Sequence, residues 1–440
     1  MKTKFRILLS AITFTAGVAL ILAALGLPLR LAAQEKQNAR LPHYAVTDLG
    51  TLGGTFGYAG AVNNEGWAAG AGTIPGDTAQ NAILWRKQLK IQIGTFGGPN
   101  SAVFGKGLNE SGQVVGPAET SDPDPLDQNF CGFGTGLICS PFIWQNGVMA
   151  QLPTLGGYNA IAYDINNRGV IAGQAQNTTL DPTCDGSIQE AKPVLWVNGQ
   201  IQELPTIAGD TVGNAIEIND QGQAVGSTGQ CPDFGTLHAL LWANGTVTDL
   251  GNLGGTMNNT AVDINNRGQV VGSSDLAGDT TSHFFLWQNG VMTDLGTLPG
   301  DMASTGGGIN DNGQIVGASC TTVEGICRAT LWQNGVITDL NTLIRPRSGL
   351  FLVEAFDINA RGQIVGIAFQ RSSGEFHAFL ATPCDEENGE GCDHSLVDGS
   401  AATSVAPAPS EASGHMPPSA ALWRRNGRFH FPAFRPRNQP

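Results

Sequence analysis

DINNRGQVVG, starting at Asp263 and ending at Gly272, is a stretch this chain nearly repeats: DINNRGVIAG begins at Asp164 and DINARGQIVG at Asp357. Reduced to an apolar residue, an Asn and a Gly three positions on, the pattern occurs seven times, from Val62, Leu108, Ile165, Ile218, Ile264, Ile309 and Ile358. Successive Asn residues lie 46, 57, 53, 46, 45 and 49 positions apart. A period of that size marks stacked or radial repeats. Between the copies stands a second motif, AILW, PFIW, PVLW, ALLW, FFLW, ATLW and lastly AFLA. In six of the seven copies a turn follows, most often Asn-Gly, and then a strand such as VMTDLG at 291–296.

Each unit reads as four strands. In TAVDIN (260–265) Val262 and Ile264 alternate with polar residues, the period of a strand. NRG turns the chain into QVVGS (269–273), and a variable loop leads to HFFLW (283–287). Asn289-Gly290 then suit a two-residue type I′ hairpin, because both tolerate positive φ. The third strand is apolar on both faces, as it would be between two neighbouring sheets. Four-stranded sheets repeated at this period describe the blades of a β-propeller.

The chain ends point the same way. YAVTDLG (44–50) is a fourth-strand sequence ahead of the first unit, whereas the seventh unit has EAFDIN, QIVGIA and HAFLA but no fourth strand. The expected fold is all-β: a seven-bladed propeller of four-stranded antiparallel blades over 44–382, closed when the N-terminal strand pairs into the last blade. Closure removes an exposed edge. An open solenoid would not need that complementarity.

Bulk composition agrees. There are 60 glycines in 440 residues, about twice the usual share of roughly 7%, in a chain that is 41% hydrophobic. That fits many short strands joined by tight turns. Lys2, Lys4 and Arg6 precede an apolar run over 7–29, and LAAQ at 31–34 offers cleavage after Ala33. Residues 1–33 therefore read as a signal peptide, with an uncleaved anchor as the alternative, and 34–43 as a short linker. In either case the remainder is exported: extracellular, periplasmic or on the cell surface. Removing 1–33 takes away four basic and no acidic residues and moves the formal charge from −14 to −18. Such an acidic body argues against nucleic acid and anionic lipid as partners. Once the signal is cleaved no membrane span is expected, and the chain reads as a monomer.

DLGTLGG (249–255), IN-x-x-G-x-VVG-x-S (264–273) and HALLW (238–242) resemble the HAF repeat of extracellular bacterial proteins. The resemblance runs from about Tyr44 to Ala381 and rests on three linked motifs recurring in order. It implies secreted, propeller-like proteins with no established biochemical activity. Many such proteins carry a C-terminal sorting segment with a hydrophobic helix, which this chain lacks.

Is the recurring Asn-centred motif a metal loop? A calcium loop needs oxygen ligands at several fixed positions. The residue before the apolar–Asn pair is Ala61, Gly107, Asp164, Glu217, Asp263, Gly308 or Asp357, so acidity does not persist. What persists is Asn and Gly, as in Asn166/Gly169, Asn219/Gly222, Asn265/Gly268, Asn310/Gly313 and Asn359/Gly362. These read as turn formers, Asn through its side chain and Gly through left-handed φ. His238, His283 and His377 share one slot with Asn81, Ser140, Lys192 and Arg328, which reads as a solvated strand start. The Trp series (Trp85, Trp144, Trp196, Trp242, Trp287, Trp332) reads as packing between blades more than as sugar stacking. No metal, cofactor or catalytic residue is assigned, and G-x-S-x-G, H-E-x-x-H and P-loop signatures are absent.

Strand direction places the short turns, NNRG and QNG, on one face and the variable loops on the other. The longest loops are 117–140 in blade two and 174–192 in blade three. Their acids Asp122, Asp124, Asp127, Asp181 and Asp185 are the candidate binding residues. Eight cysteines in an exported chain read as disulfides. Spacing suggests Cys131–Cys139, Cys320–Cys327 and Cys384–Cys392 as local bridges, leaving Cys184–Cys231 to link blades three and four. Residues 383–419 read as an acidic, then Pro/Ala/Ser-rich linker. Residues 420–440, with five Arg, read as a basic aromatic tail or a degenerate hairpin. Three functions fit: a non-catalytic scaffold binding extracellular carbohydrate or protein, a polysaccharide hydrolase or lyase, or a structural envelope component.

Overall fold

The computed structural model describes residues 42–384 apart from Gln88 and segments 185–186, 231–236, 323–324 and 345–347. The segments expected to be a signal peptide and a tail, together with Asp185, Cys231 and Cys392, lie outside the described residues. Within them the chain forms seven four-stranded antiparallel sheets, the blades of a propeller. Six blades take their strands in chain order, as blade five does with Gly254–Ile264, Val270–Leu276, Ser282–Gln288 and Val291–Asp294. Blade seven has Leu350–Ile358, Ile364–Gln370 and Glu375–Pro383, and its outer strand is Tyr44–Gly50. Tyr44 pairs with Pro383, Val46 with Ala381 and Asp48 with Phe379. The expected closure is therefore present.

The repeated residues have visible local causes. Gly66, Gly112, Gly169, Gly222, Gly268, Gly313 and Gly362, which end the first turn of each blade, all adopt positive φ, where an L side chain would be strained. Asn289 (φ 53°) and Gly290 (φ 81°) do the same in the hairpin that brings Gln288 opposite Val291. A third glycine, in VVG, has a different cause. In blades one and three to seven the first strand carries a register shift just before its end, between Ala261 and Asp263 in blade five. Opposite this bulge a Cβ on Gly272 would sit 2.2 Å from the Thr260 carbonyl oxygen. The equivalent glycines, Gly70, Gly116, Gly173, Gly226, Gly317 and Gly366, face a first-strand carbonyl at 2.0–2.3 Å in the same sense. Only glycine lets the bulged strand approach its neighbour this closely.

The core lies between blades. Ala61, Ala69 and Leu84 of blade one pack on Val103, Val114, Phe142 and Trp144 of blade two. The Trp residues were expected in this position and four show how it is fixed. The indole N–H groups of Trp85, Trp196, Trp242 and Trp332 donate to the carbonyls of Leu49, Pro153, Pro205 and Leu295, each in the strand or connection just before that blade. Each ring is thus buried between sheets with its polar edge satisfied. Cys131–Cys139 and Cys320–Cys327 are disulfides as expected. Cys184 and Cys384 are also disulfide-bonded. The partners expected for them, Cys231 and Cys392, fall outside the described residues.

Candidate functional site

Where the seven first strands end, the motif Asn side chains form a closed ring. The Nδ2 of Asn63 donates to the Asn109 carbonyl, Asn109 to Asn166, Asn166 to Asn219, Asn219 to Asn265, Asn265 to Asn310, Asn310 to Asn359, and Asn359 back to Asn63. The same side chain caps its own turn. Asn265 Oδ1 accepts from the backbone N–H groups of Arg267 and Gln269, both at 3.0 Å. The expected turn role is present, and a second role joins it: each Asn fastens its blade to the next.

The residue two places before that Asn builds a second layer. Asp164, Asp263 and Asp357 each accept one N–H from their own following Ile and another from the next blade: Ile218, Ile309 and Val62. Glu217 accepts the backbone N–H of Lys106 at 3.1 Å. All four carboxyl groups are buried. A cation meets them. Lys106 Nζ lies 2.5 Å from Asp263 Oδ2 and 2.9 Å from Asp357 Oδ1.

Lys106 belongs to blade two, and its partners to blades four, five and seven, so its segment crosses the axis. The cause is local. Between the pairs Thr260–Ser273 and Ile264–Val270 of blade five, the first strand runs one residue longer than the second. Between Ser101–Ala118 and Leu108–Val114 of blade two it runs three longer. The surplus, around Phe104, Gly105 and Lys106, leaves the ladder. A Cβ on Gly105 would lie 2.8 Å from the Tyr163 carbonyl oxygen of blade three, and one on Gly60 would lie 3.1 Å from the Gly105 carbonyl oxygen. Lys106 Nζ occupies the space left by Gly308 of blade six, whose Cβ would lie 2.9 Å from it.

Burial sets the proton occupancy here. It would lower the Lys106 pKa, but the carboxylates of Asp263, Asp357 and Glu217 outweigh it and hold the ammonium above its ordinary value. Burial pushes Asp164 up to about 7, against the N–H groups that stabilise its charged form. Burial, then repulsion from Asp164 and Asp263, drives Glu217 further up. Asp164 and Glu217 share a hydrogen bond, so this pair retains a proton near neutrality. Asp263 is also raised by burial, with Lys106 opposing.

The four candidate loop acids among the described residues, Asp122, Asp124, Asp127 and Asp181, lie in the loops of blades two and three. Asp124 is buried, and its Oδ2 accepts from Asn159 Nδ2 of blade three at 2.6 Å, within a network joining Gln128 and Gln176. Asp181 is buried and caps a short turn, accepting from the N–H and hydroxyl of Thr183. Asp122 and Asp127 are exposed. The blade-two loop turns inward as well: Phe133 stacks on Phe104 at 5.9 Å and packs with Tyr58 and Phe356 on one side and Tyr163 on the other. Among the described residues no group of three or more His, Cys, Asp or Glu is arranged to hold a metal.

The slot that reads as a solvated strand start has a regular partner. His238, His283 and His377 contact Asp249, Asp294 and Asp48 at 2.9–3.1 Å, each a fourth-strand residue. Other blades substitute a matching pair: Ser140 with Gln151, Asn81 with Gln92, and Arg328 near Asp339. Sequence carried a signal for this. His in HAF and Asp in TDLG occur together in blades four, five and seven, and both are replaced in blades one and two.

No protein-family model and no curated protein sequence matches the chain. Solved structures resemble it in fold. One is an acylaminoacyl peptidase of Pyrococcus horikoshii, with TM-score 0.44, 10% identity, and 76% of this chain and 53% of that one covered. Another is a puromycin-hydrolyzing peptidase of Mycobacterium tuberculosis, with TM-score 0.47, 12% identity, and 78% and 56% covered. The chain thus spans about half the length of these peptidases. A third is an oligogalacturonate lyase in complex with manganese, with TM-score 0.43, 11% identity, and 78% and 97% covered. At these identities the likeness concerns architecture alone, and the molecule to which these comparisons apply is a seven-bladed, N-terminally closed β-propeller.

Proposed function

We propose that this chain is an exported, non-catalytic binding propeller of the HAF-repeat type, taking an extracellular carbohydrate or protein on its variable-loop face. The observation that carries the reading is the bracing of the blade-two loop. The Cys131–Cys139 bridge closes it, and Asn159 of blade three ties Asp124 and Gln128 into one buried network. A loop fixed before contact loses little entropy when a ligand arrives. Exposed apolar side chains stand on the same face, with Tyr158 beginning a first strand and Leu180 ending a second strand of blade three. Asp122 and Asp127 remain exposed beside that loop and supply polar contacts.

Binding is favoured over polysaccharide cleavage because Asp124 and Asp181 serve loop shape, not an open cleft. Glycoside hydrolysis needs two carboxyl groups facing one bond. The test pairs a glycan array and a secreted-protein pull-down with a reducing-sugar release assay on the exported body. Binding without turnover that weakens on Tyr158→Ala is the expected result. Sugar release abolished by changing Asp122 and Asp127 would replace this reading with the hydrolase or lyase. Failure to bind, together with tight envelope association, would replace it with a structural component.

A further inference from the structure

We propose that Lys106 and Asp263 condense to an intramolecular amide, a covalent strut across the axis from blade two to blade five. The inference does not rest on the binding function. It starts from an amine brought to a carboxyl group by an irregularity that the other blades lack. Lys106 is on the blade with the longer bulge, and its Nζ reaches Asp263 Oδ2 at 2.5 Å through the gap at Gly308. Fixed proximity of this kind replaces a bimolecular encounter with an intramolecular one.

Two backbone donors fix the Asp263 carboxyl group in place. Asp263 Oδ1 accepts the N–H of Ile264 at 2.7 Å, and Oδ2 accepts the N–H of Ile309 at 2.5 Å. Each oxygen therefore has one backbone donor, and the oxygen that carries the negative charge of a tetrahedral adduct keeps one N–H. Asp357 is the rival acceptor, at the longer distance of 2.9 Å.

The step balances within the chain. One proton passes directly from the Lys106 ammonium to the Asp263 carboxylate it touches, leaving a neutral amine beside a neutral acid. The nitrogen lone pair adds to Cγ, and the carbonyl electron pair moves onto oxygen. On collapse the C–O bond to the other oxygen breaks, and that oxygen leaves as water with two protons from the original ammonium. Ammonium plus carboxylate becomes amide plus water, with no oxidant, reductant or cofactor. Condensation removes both charges of the Lys106–Asp263 pair, whose hydration cost the pair recovers poorly, and leaves Asp357 held by the N–H groups of Ile358 and Val62. Because the bond forms once and persists, a small population of the neutral pair suffices.

Intact-mass spectrometry on the exported protein, denatured and with disulfides reduced, tests this. The expected mass is one water below that of the processed sequence. Trypsin should yield a branched peptide joining the segments of Lys106 and Asp263, uncut after Lys106. Lys106→Arg, which keeps the charge but forms no such bond, should restore the full mass, and Asp357→Ala should keep the deficit. A full-mass wild type cleaved after Lys106 would overturn the proposal, as would a branch located at Asp357. The wild-type peptide decides the matter even if a variant does not fold.

Discussion

A single Asn side chain per blade, with one acceptor and one donor, makes both the turn and the joint to the next blade. Its oxygen takes two N–H groups that the tight turn leaves without partners, and its amide nitrogen reaches the following blade. Removing it abandons buried backbone donors as well as a bond, and the first loss weighs more. Asn265→Ala is therefore expected to cost about 2–4 kcal/mol by urea unfolding. The neighbour Asn266, which also bonds the adjacent blades from a half-buried position, should cost under about 1 kcal/mol as Asn266→Ala. Equal losses at the two positions would show that burial does not separate them. At this scale the turn role was legible from Asn and Gly recurring together. The joint was not, because its partner is a backbone carbonyl in another unit and leaves no residue pattern.

At the scale of the element, a titrating histidine holds the outer strand of blade seven. His377 Nδ1 lies 2.9 Å from Asp48 on the closing strand, and Nε2 lies 3.2 Å from Glu375. Gln370 also reaches Asp48, at 3.4 Å. The hydrogen bond and charge of Asp48 outweigh burial and raise the His377 pKa above its ordinary value of about 6.5. The folded state then binds the proton more tightly than the unfolded chain. Its contribution is complete below about pH 6.5 and drains as pH rises through the elevated folded value. The stability gap between wild type and His377→Gln should accordingly narrow from pH 6 to 8. A gap that widens over that range would contradict the pair's polarity. That the third-strand slot is polar was readable from sequence. Its coupling to the last residue of strand four was present as paired replacement among blades, visible only once the strands are aligned side by side.

For the whole molecule, closure depends on a strand from the opposite end of the chain. Tyr44 is buried, its N–H donates to the Leu343 carbonyl, and the His43 carbonyl accepts the N–H of Cys384 at 2.8 Å, so the two ends of the ring meet. Without residues 44–50 the third strand of blade seven, Glu375–Pro383, would present an open edge carrying unpaired N–H and C=O groups. Deleting 44–50 should yield protein that self-associates in size-exclusion chromatography and unfolds at lower temperature. A monomer of unchanged melting temperature would mean that the ring does not need its closing strand.

The sequence by itself determined the strand count, the turn chemistry, the blade number and the closure, because each follows from local periodicity and from which strand was spare. Two of the proposed disulfides also followed from loop spacing. Tertiary structure alone decided where charge is buried. Asp164, Glu217, Asp263 and Asp357 vary too much along the chain to look like one site, and Lys106 sits in what reads as an ordinary first strand. Rotating seven units about an axis brings one position from each to the centre, and an excess of two residues in a single bulge carries the lysine there. Convergence of that kind depends on sheet geometry, which residue spacing along the chain does not encode.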